Sequence, residues 1–320
     1  MSRWSFLANN FRFVVITFTF LTNVSVPLCS RNMIYAIQPM INHTALALKT
    51  TEEATHVDGS RDGPFAFGEK SQSLILSVLS MGQLLGNIVA LFLFELVYFK
   101  PVFIVSLSLI GLLNVLIPLT ANLTGSIGLI VSRFLTGFFL GCLTPTSAKI
   151  CAAWTLRKER VFVQTVVSCG QNLGNILFAL SGYVEGQLGW EYFFYIPAGM
   201  LMFCTLLMAI FYTDNVWDNN FMSEIEKNRI LPTYKQVAEE IREIKAKRRL
   251  LHINIVIEHS KRRKPAPWFK VLRNLQYWAL ISATFGHCWA AEAAVTYTQI
   301  YLVQIHKYSL ARTSLLTSIP

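Results

Sequence analysis

The sequence predicts an all-α membrane protein, and three observations lead to this fold class. The 320 residues are 53% hydrophobic and only 14% charged, whereas soluble domains carry about 25% charged residues. The mean hydropathy of the chain is +0.44. The apolar residues also fall in blocks of about 20 residues, the length that an α-helix needs to cross a bilayer. A water-soluble globule, a disordered chain and a fibrous protein are therefore excluded.

Seven apolar blocks predict seven membrane-spanning helices. The first begins at Phe13 and continues past Arg31 to Ile41. We interpret it as a retained span, because no small-residue cleavage site of a signal peptide follows its apolar run. The other six blocks are residues 74–94, 102–121, 127–152, 161–184, 192–212 and 277–301. Residues 309–320 have the composition of an eighth span that is cut short, so we expect the sequence to be C-terminally incomplete.

Six spans followed by a long charged loop predict a chain in three parts. We expect a six-span N-terminal bundle at residues 1–212, a basic linker at 213–270 and the start of a second bundle at 271–320. The linker contains a capping box that begins at Ser223 and ends at Glu226. In this motif the serine accepts a hydrogen bond from the N–H group of the glutamate, whose side chain reaches back.

The distribution of lysine and arginine predicts that the linker and the N terminus face the cytosol. Residues 213–273 hold fourteen Lys or Arg against eight Asp or Glu, and the turn 156–161 adds three basic residues. The loop 40–72 holds three basic residues against five acidic ones. Cytosolic loops carry the excess of positive charge, so we expect the net acidic loop 40–72 to lie on the opposite side of the membrane. The sequons at Asn42 and Asn122 are then accessible candidates for glycosylation.

The net charge of +10 does not indicate a nucleic-acid partner, because the excess lies in loops where positive-inside sorting accounts for it. The six cysteines lie in or at predicted spans without metal-type spacing, so we expect free thiols and neither a metal nor a cofactor. The sequence shows no nucleophile elbow and no phosphate-binding loop. An enzyme is therefore not expected.

Five basic or acidic side chains lie within the predicted spans: Arg31, Arg133, Lys149 near the cytosolic end of the fourth span, His287 and Glu292. Charge at the centre of a span costs roughly 2.5 to 3.5 kcal/mol, so such residues face a cavity or a partner. Two arginines that converge on a cavity would bind an anion, because guanidinium groups stay charged and offer paired donors to carboxylate or phosphate. The alternative is that Arg31 extends to the outer interface and Arg133 pairs with backbone or a loop carboxylate.

Polar residues in the fifth and seventh spans supply further candidates. Gln171 and Asn175 are four residues apart, so they share one face of a helix and are candidates to line a cavity. His287 and Glu292 are five residues apart, a rotation of about 140°, so they do not form a proton relay without another span. Glu292 alone is either a proton-exchanging group or a protonated side chain that bonds a neighbouring helix.

The fourth span contains a motif that resembles a known family. It begins Arg133-Phe134-Leu135-Thr136-Gly137, continues with Gly141 and Pro145, and is followed by Trp154 and Glu159-Arg160. This pattern is similar to that of the organic anion and phosphate transporters of the major facilitator superfamily, the group that contains sialin, vesicular glutamate carriers and sodium-phosphate cotransporters. Further segments agree in order and spacing, among them Ala36-Ile37, 113–118, Gly189-Trp190, 221–223 and 266–268. The resemblance implies a major facilitator fold: a complete six-helix bundle and the start of a second.

The resemblance also implies functional residues. In that family an arginine in the first span and one in the fourth bind the anion, and Arg133 matches the second. Arg31 is displaced by one residue from the first, which falls on Ser30. The proton-coupling glutamate, seven residues after the fourth-span arginine, is Leu140 here. The resemblance therefore leaves open coupling to protons, coupling to sodium and uncoupled transport.

The leading hypothesis is transmembrane transport of an organic anion or inorganic phosphate by alternating access. Its partners would be a small anionic solute, a proton or sodium ion, and the bilayer, in the plasma membrane or a vesicular or lysosomal membrane. The residues assigned to the solute are Arg133, Arg31, Gln171, Asn175 and Tyr35, and those assigned to ion coupling are Glu292 and His287. One alternative is a truncated or non-transporting homologue that acts as a scaffold or regulator. A seven-span receptor is the other, and a cytosolic N terminus disfavours it.

Overall fold

The computed structural model has six long helices among the residues that it describes. It describes residues 11–41, 63–65, 67–96, 98–156, 158–177, 189–213, 219, 221–226 and 273–304. The helices are α1 (Phe11–Met40), α2 (Glu69–Leu96), α3 (Phe99–Trp154), α4 (Arg160–Leu177), α5 (Tyr192–Phe211) and α6 (Leu275–Gln304). The only extended pairing in these ranges is a single bridge between Ile41 and Phe65. The predicted all-α membrane fold is confirmed.

Four helices in the described ranges have the length and apolar composition needed to cross a membrane. They are α1, α2, α3 and α5. Helix α3 is 56 residues long and has non-helical dihedral angles inside it at Gly125, with φ of 62° and ψ of −136°. A positive φ favours glycine, so the chain breaks there into a first arm, 99–124, and a second arm, 126–154. The two arms contain the third and fourth predicted spans.

Helices α1 to α5 pack into one bundle. Helix α2 packs along α3, α4 packs along α1, and α5 packs against both α1 and α3. Glycines permit these approaches: Gly170 and Gly174 of α4 lie against the backbone carbonyls of Phe20 and Val24 in α1. The bundle belongs to the first of two compact units into which the chain divides, and the second unit comprises residues 231–308. Helix α6 belongs to this second unit, whereas residues 221–226 of the predicted linker belong to the first.

The described part of the bundle has three apolar clusters: a small one contains Cys151, Val163 and Val167, and two are larger. One contains Phe103, Trp154 and Met208, together with α1 residues up to Cys29. The other contains Ile117 and Phe194, together with α1 residues from Met33 onward. Between the two larger clusters α1, α3 and α5 bring together a set of polar groups, and this set forms the candidate site.

Candidate functional site

Arg133 is completely buried in the second arm of α3, with 1% of its surface exposed. Its Nη1 donates to the backbone carbonyl of Ser30 at 3.0 Å, and its Nη2 donates to the Oδ1 of Asn32 at 2.6 Å. The Phe194 ring of α5 lies 5.9 Å from the guanidinium carbon. The Nε is buried without a hydrogen-bond partner in the described ranges. The Nε–H of the guanidinium is therefore unused.

Two buried asparagines continue the hydrogen bonds of Arg133. Asn32 donates through Nδ2 to the Oδ1 of Asn114 at 2.8 Å and to the carbonyl of Phe193 at 3.5 Å. Asn114 donates through its own Nδ2 to the carbonyl of Ile110 at 2.8 Å. Asn32 and Asn114 are both 0% exposed. We call Ser30, Asn32, Asn114 and Arg133 the buried polar layer; it joins α1 to both arms of α3, and Asn32 extends it to α5.

The buried polar layer contains the positive charge of Arg133 and no negative charge among its four residues. Among the residues that the structure describes, the ion pairs involve Arg12, Glu159 and Glu226, and none involves Arg133. Neutral carbonyl and amide oxygens are the acceptors that surround the guanidinium. A buried charge without an opposite charge is costly, and its cost falls when an anion binds beside it. The arrangement is thus suited to hold a carboxylate or phosphate group.

The structure describes most of the other predicted solute-binding residues, none of which belongs to the four that define this layer. Arg31 is half-buried on α1, one residue after the Ser30 carbonyl that Arg133 contacts. Gln171 is exposed on α4, while Asn175 is half-buried with an Oδ1 that accepts no hydrogen bond in the described part. Neither α4 side chain bonds to Arg133 there. The side chain of Tyr35 lies outside the described residues.

The structure describes only some of the residues predicted for ion coupling and glycosylation. His287 is exposed on α6, in the second unit, and the side chain of Glu292 lies outside the described residues, as does Asn42. Asn122 is exposed beside the break in α3. Leu140 packs against the apolar cluster around Trp154. No group of three His, Cys, Asp or Glu that could hold a metal occurs in the described ranges.

Sequence reasoning missed Asn32 and Asn114. Asn114 lies in the middle of an apolar run and Asn32 lies within the first predicted span, and that was the available signal, because a polar side chain in a span needs a hydrogen-bond partner. Their partner could not be read from local spacing. Along the chain, Asn32 is 82 residues from Asn114 and 101 residues from Arg133.

Long apolar helices bundled around a buried polar layer define a polytopic membrane protein. Residues 13–320 match the sequence model of the Major Facilitator Superfamily. The chain therefore belongs to this superfamily of membrane proteins.

Comparison with curated proteins identifies anion and phosphate transport proteins as relatives. Sodium-dependent phosphate transport protein 1 of Mus musculus is 25% identical over 285 residues, which are 88% of this chain and 56% of the relative. A Mus musculus protein named probable small intestine urate exporter is 24% identical, over 94% of this chain and 59% of its own length. Sialin of Homo sapiens is 24% identical over 66% of this chain and 38% of its own length. The chain thus spans little more than half of the length of the phosphate and urate relatives.

Proposed function

We propose that this protein takes part in transmembrane transport of a small anionic solute, an organic anion or inorganic phosphate, by alternating access, and that it is not an enzyme. The observation that carries the proposal is the buried guanidinium of Arg133, which makes no ion pair in the described ranges. The names of two relatives, a phosphate transport protein and a urate exporter, support an anionic solute. An anion beside Arg133 would supply the opposite charge that the site lacks.

The proposal assigns a distinct task to each group. Arg133 would bind the anion with its free Nε–H, while the carbonyl of Ser30 and the amide of Asn32 continue to hold its terminal nitrogens. An anionic oxygen would also supply an opposite charge to the guanidinium, which the neutral oxygens of Ser30 and Asn32 do not. The residues that would assist at the solute are Arg31, Gln171, Asn175 and Tyr35. Glu292 and His287 are the candidates for coupling to a proton or sodium ion.

The first prediction is that Arg133→Ala abolishes uptake. Proteoliposomes containing the protein would be tested with phosphate and with urate, with and without sodium and pH gradients. Arg133→Lys should also lose most uptake, since an ammonium is a point charge without the planar fork of a guanidinium. Lys149→Ala is the control: it removes an exposed cation from the same helix outside the buried polar layer and should leave uptake intact.

Two outcomes would reject this assignment. Uptake by Arg133→Ala equal to that of the unmodified protein would remove Arg133 from the site. If the unmodified protein neither transports nor binds any tested anion, the scaffold or regulator would be favoured. Leu140, an apolar residue at the family's coupling position, is the observation that supports that second function.

We also propose that the N terminus is cytosolic, in the plasma membrane or in a vesicular or lysosomal membrane. The basic linker supports this orientation, and so does Asn122. It is exposed beside the break at Gly125, where the second arm of α3 begins, whereas the basic turn follows the other end of that arm at Trp154. The unmodified protein and an Asn42→Gln/Asn122→Gln variant would be expressed in mammalian cells and treated with a glycosidase. We expect the treatment to lower the mass of the unmodified protein and to leave the mass of the variant unchanged. An N-terminal epitope that antibodies reach on intact cells would contradict the orientation.

A further inference from the structure

The hydrogen bonds in the buried polar layer have a direction. A backbone carbonyl can only accept, so Asn114 must turn its amide nitrogen toward Ile110, which leaves its Oδ1 toward Asn32. Asn32 then presents its nitrogen to that Oδ1 and to the carbonyl of Phe193. The Oδ1 of Asn32 is left to accept from Arg133, which can only donate. Each amide orientation follows from the previous one.

The reverse orientation would be unfavourable. If the Asn32 amide turned over, its NH2 group would face the guanidinium, donor against donor, and two oxygens would face each other at Asn114. All these groups are buried, so water does not compensate for a mismatch. The backbone carbonyls at the far end of the chain of hydrogen bonds therefore determine how Arg133 is held.

We infer that Asn114 and Asn32 are positioning residues for the anion site. Asn114 sets the orientation of the Asn32 amide, and Asn32, together with the Ser30 carbonyl, holds both terminal nitrogens of Arg133 so that Nε remains free. Neither asparagine needs to touch the solute. The inference rests on the proposed function, since it concerns how the same guanidinium is presented to an anion.

Asn114→Leu tests the first link. Leucine has the same branched shape but cannot accept from Asn32, so the nitrogen of the Asn32 amide keeps only the 3.5 Å contact with the Phe193 carbonyl and the orientation of the amide is weakened. We expect the dissociation constant for phosphate or urate, measured on the detergent-purified protein, to rise at least tenfold. Asn87→Leu is the matched control: Asn87 donates to the carbonyl four residues earlier, as Asn114 does, but lies on α2 outside the layer. It should leave the dissociation constant unchanged.

Asn32→Asp tests the second link with a variant that keeps the shape of the side chain. A carboxylate at the 2.6 Å position of Oδ1 would pair with Arg133 and supply the missing negative charge. We expect anion binding to the folded protein to fall at least tenfold. The thermal unfolding midpoint does not decide the test, because the second carboxylate oxygen also faces the Oδ1 of Asn114 and the carbonyl of Phe193. A purely structural role for Asn32 would leave anion binding to the folded variant unchanged.

The outcomes separate the inference from the function on which it rests. If Arg133→Ala abolishes binding while Asn114→Leu and Asn32→Asp bind phosphate and urate normally, the relay is rejected and the anion site stands. If the unmodified protein and Arg133→Ala both bind neither anion, the proposed function fails and the inference fails with it. Should Asn114→Leu not fold, the result for Asn32→Asp decides.

Discussion

Replacement of Gly137 by alanine should lower the thermal unfolding midpoint of the protein by roughly 5–10 °C. A Cβ on Gly137 would collide with the backbone carbonyl oxygen of Leu79 in α2, and it would lie 2.9 Å from the carbonyl carbon of Leu79 and 3.1 Å from the nitrogen of Gln83. All three atoms belong to the backbone, so no side-chain rotation removes the collision. The two helices must separate, and overpacking of this kind costs about 1–3 kcal/mol, with about 2–4 °C per kcal/mol in a domain of this size.

The contact around Gly137 is one of four equivalent ones. Gly82 and Gly86 of α2 approach the backbone of Phe134 and Phe138, and Gly141 approaches that of Gln83. Small residues at such positions let helix backbones meet closely in a membrane, where van der Waals packing drives association. Because the second arm of α3 also carries Arg133, displacement of this arm would move the guanidinium relative to α1.

Gly199→Ala is the control for Gly137→Ala. Gly199 also lies inside a helix, but a Cβ added there meets no atom within 4 Å. Alanine should therefore leave the midpoint unchanged or raise it, because glycine inside a helix costs roughly 0.5–1 kcal/mol relative to alanine. The comparison would be made by fluorescence-detected size exclusion after heating in detergent. Equal midpoints for the two variants would show that close backbone packing of α2 on α3 does not limit stability.

The helices could be predicted from the sequence because a bilayer permits few alternatives. A backbone in hydrocarbon must satisfy its own hydrogen bonds, so an apolar block of sufficient length forms a helix. The predicted block 74–94 lies within α2, and 192–212 differs from α5 by one residue. The block 161–184 begins one residue after α4 begins, and its end lies outside the described residues.

The candidate site could be predicted only at Arg133. A charged residue in an apolar span is conspicuous in any sequence, but its contacts depend on how the helices rotate. Gln171 and Asn175 show this limit: periodicity places both on one face of α4, and the packing of Gly170 and Gly174 on α1 decides where that face points. This packing of α4 on α1 leaves Gln171 exposed and Asn175 half-buried. The position of the Ser30 carbonyl beside Arg133 likewise depends on packing between α1 and α3.

Glu226 forms the second contact on which we expect stability to depend strongly. It is 1% exposed, and its carboxylate accepts hydrogen bonds from the backbone N–H groups of Phe11 at 2.8 Å and Arg12 at 3.1 Å. These groups begin α1, and the first N–H groups of a helix have no partner within it. The predicted capping-box bond from the N–H of Glu226 to the Oγ of Ser223 is confirmed at 3.3 Å. The bonds of the Glu226 carboxylate to α1 were not predicted.

Arg12 extends this contact to a third segment. Its Nη1 lies 3.1 Å from the Oε2 of Glu159, in the turn between α3 and α4, and its Nε lies 3.8 Å from the Oε1 of Glu226. The ring of Phe11 stacks on that of Phe221, with 5.8 Å between centroids. The start of α1, the turn after α3 and the segment after α5 are thereby joined around two carboxylates and one guanidinium.

Glu226→Ala should therefore lower the free energy of unfolding by about 1.5–3 kcal/mol, the range for hydrogen bonds to a charged group. Arg12 keeps Glu159 as an ion-pair partner, which limits the loss. Glu226→Gln should lose less, because its amide oxygen can still accept from α1. The thermal unfolding midpoint would be measured by fluorescence-detected size exclusion after heating in detergent, as for the Gly137 and Gly199 variants. Glu224→Ala is the matched control, since Glu224 is exposed on the same helical turn. If alanine at 224 and at 226 gave the same midpoint, the carboxylate of Glu226 would not stabilise the start of α1.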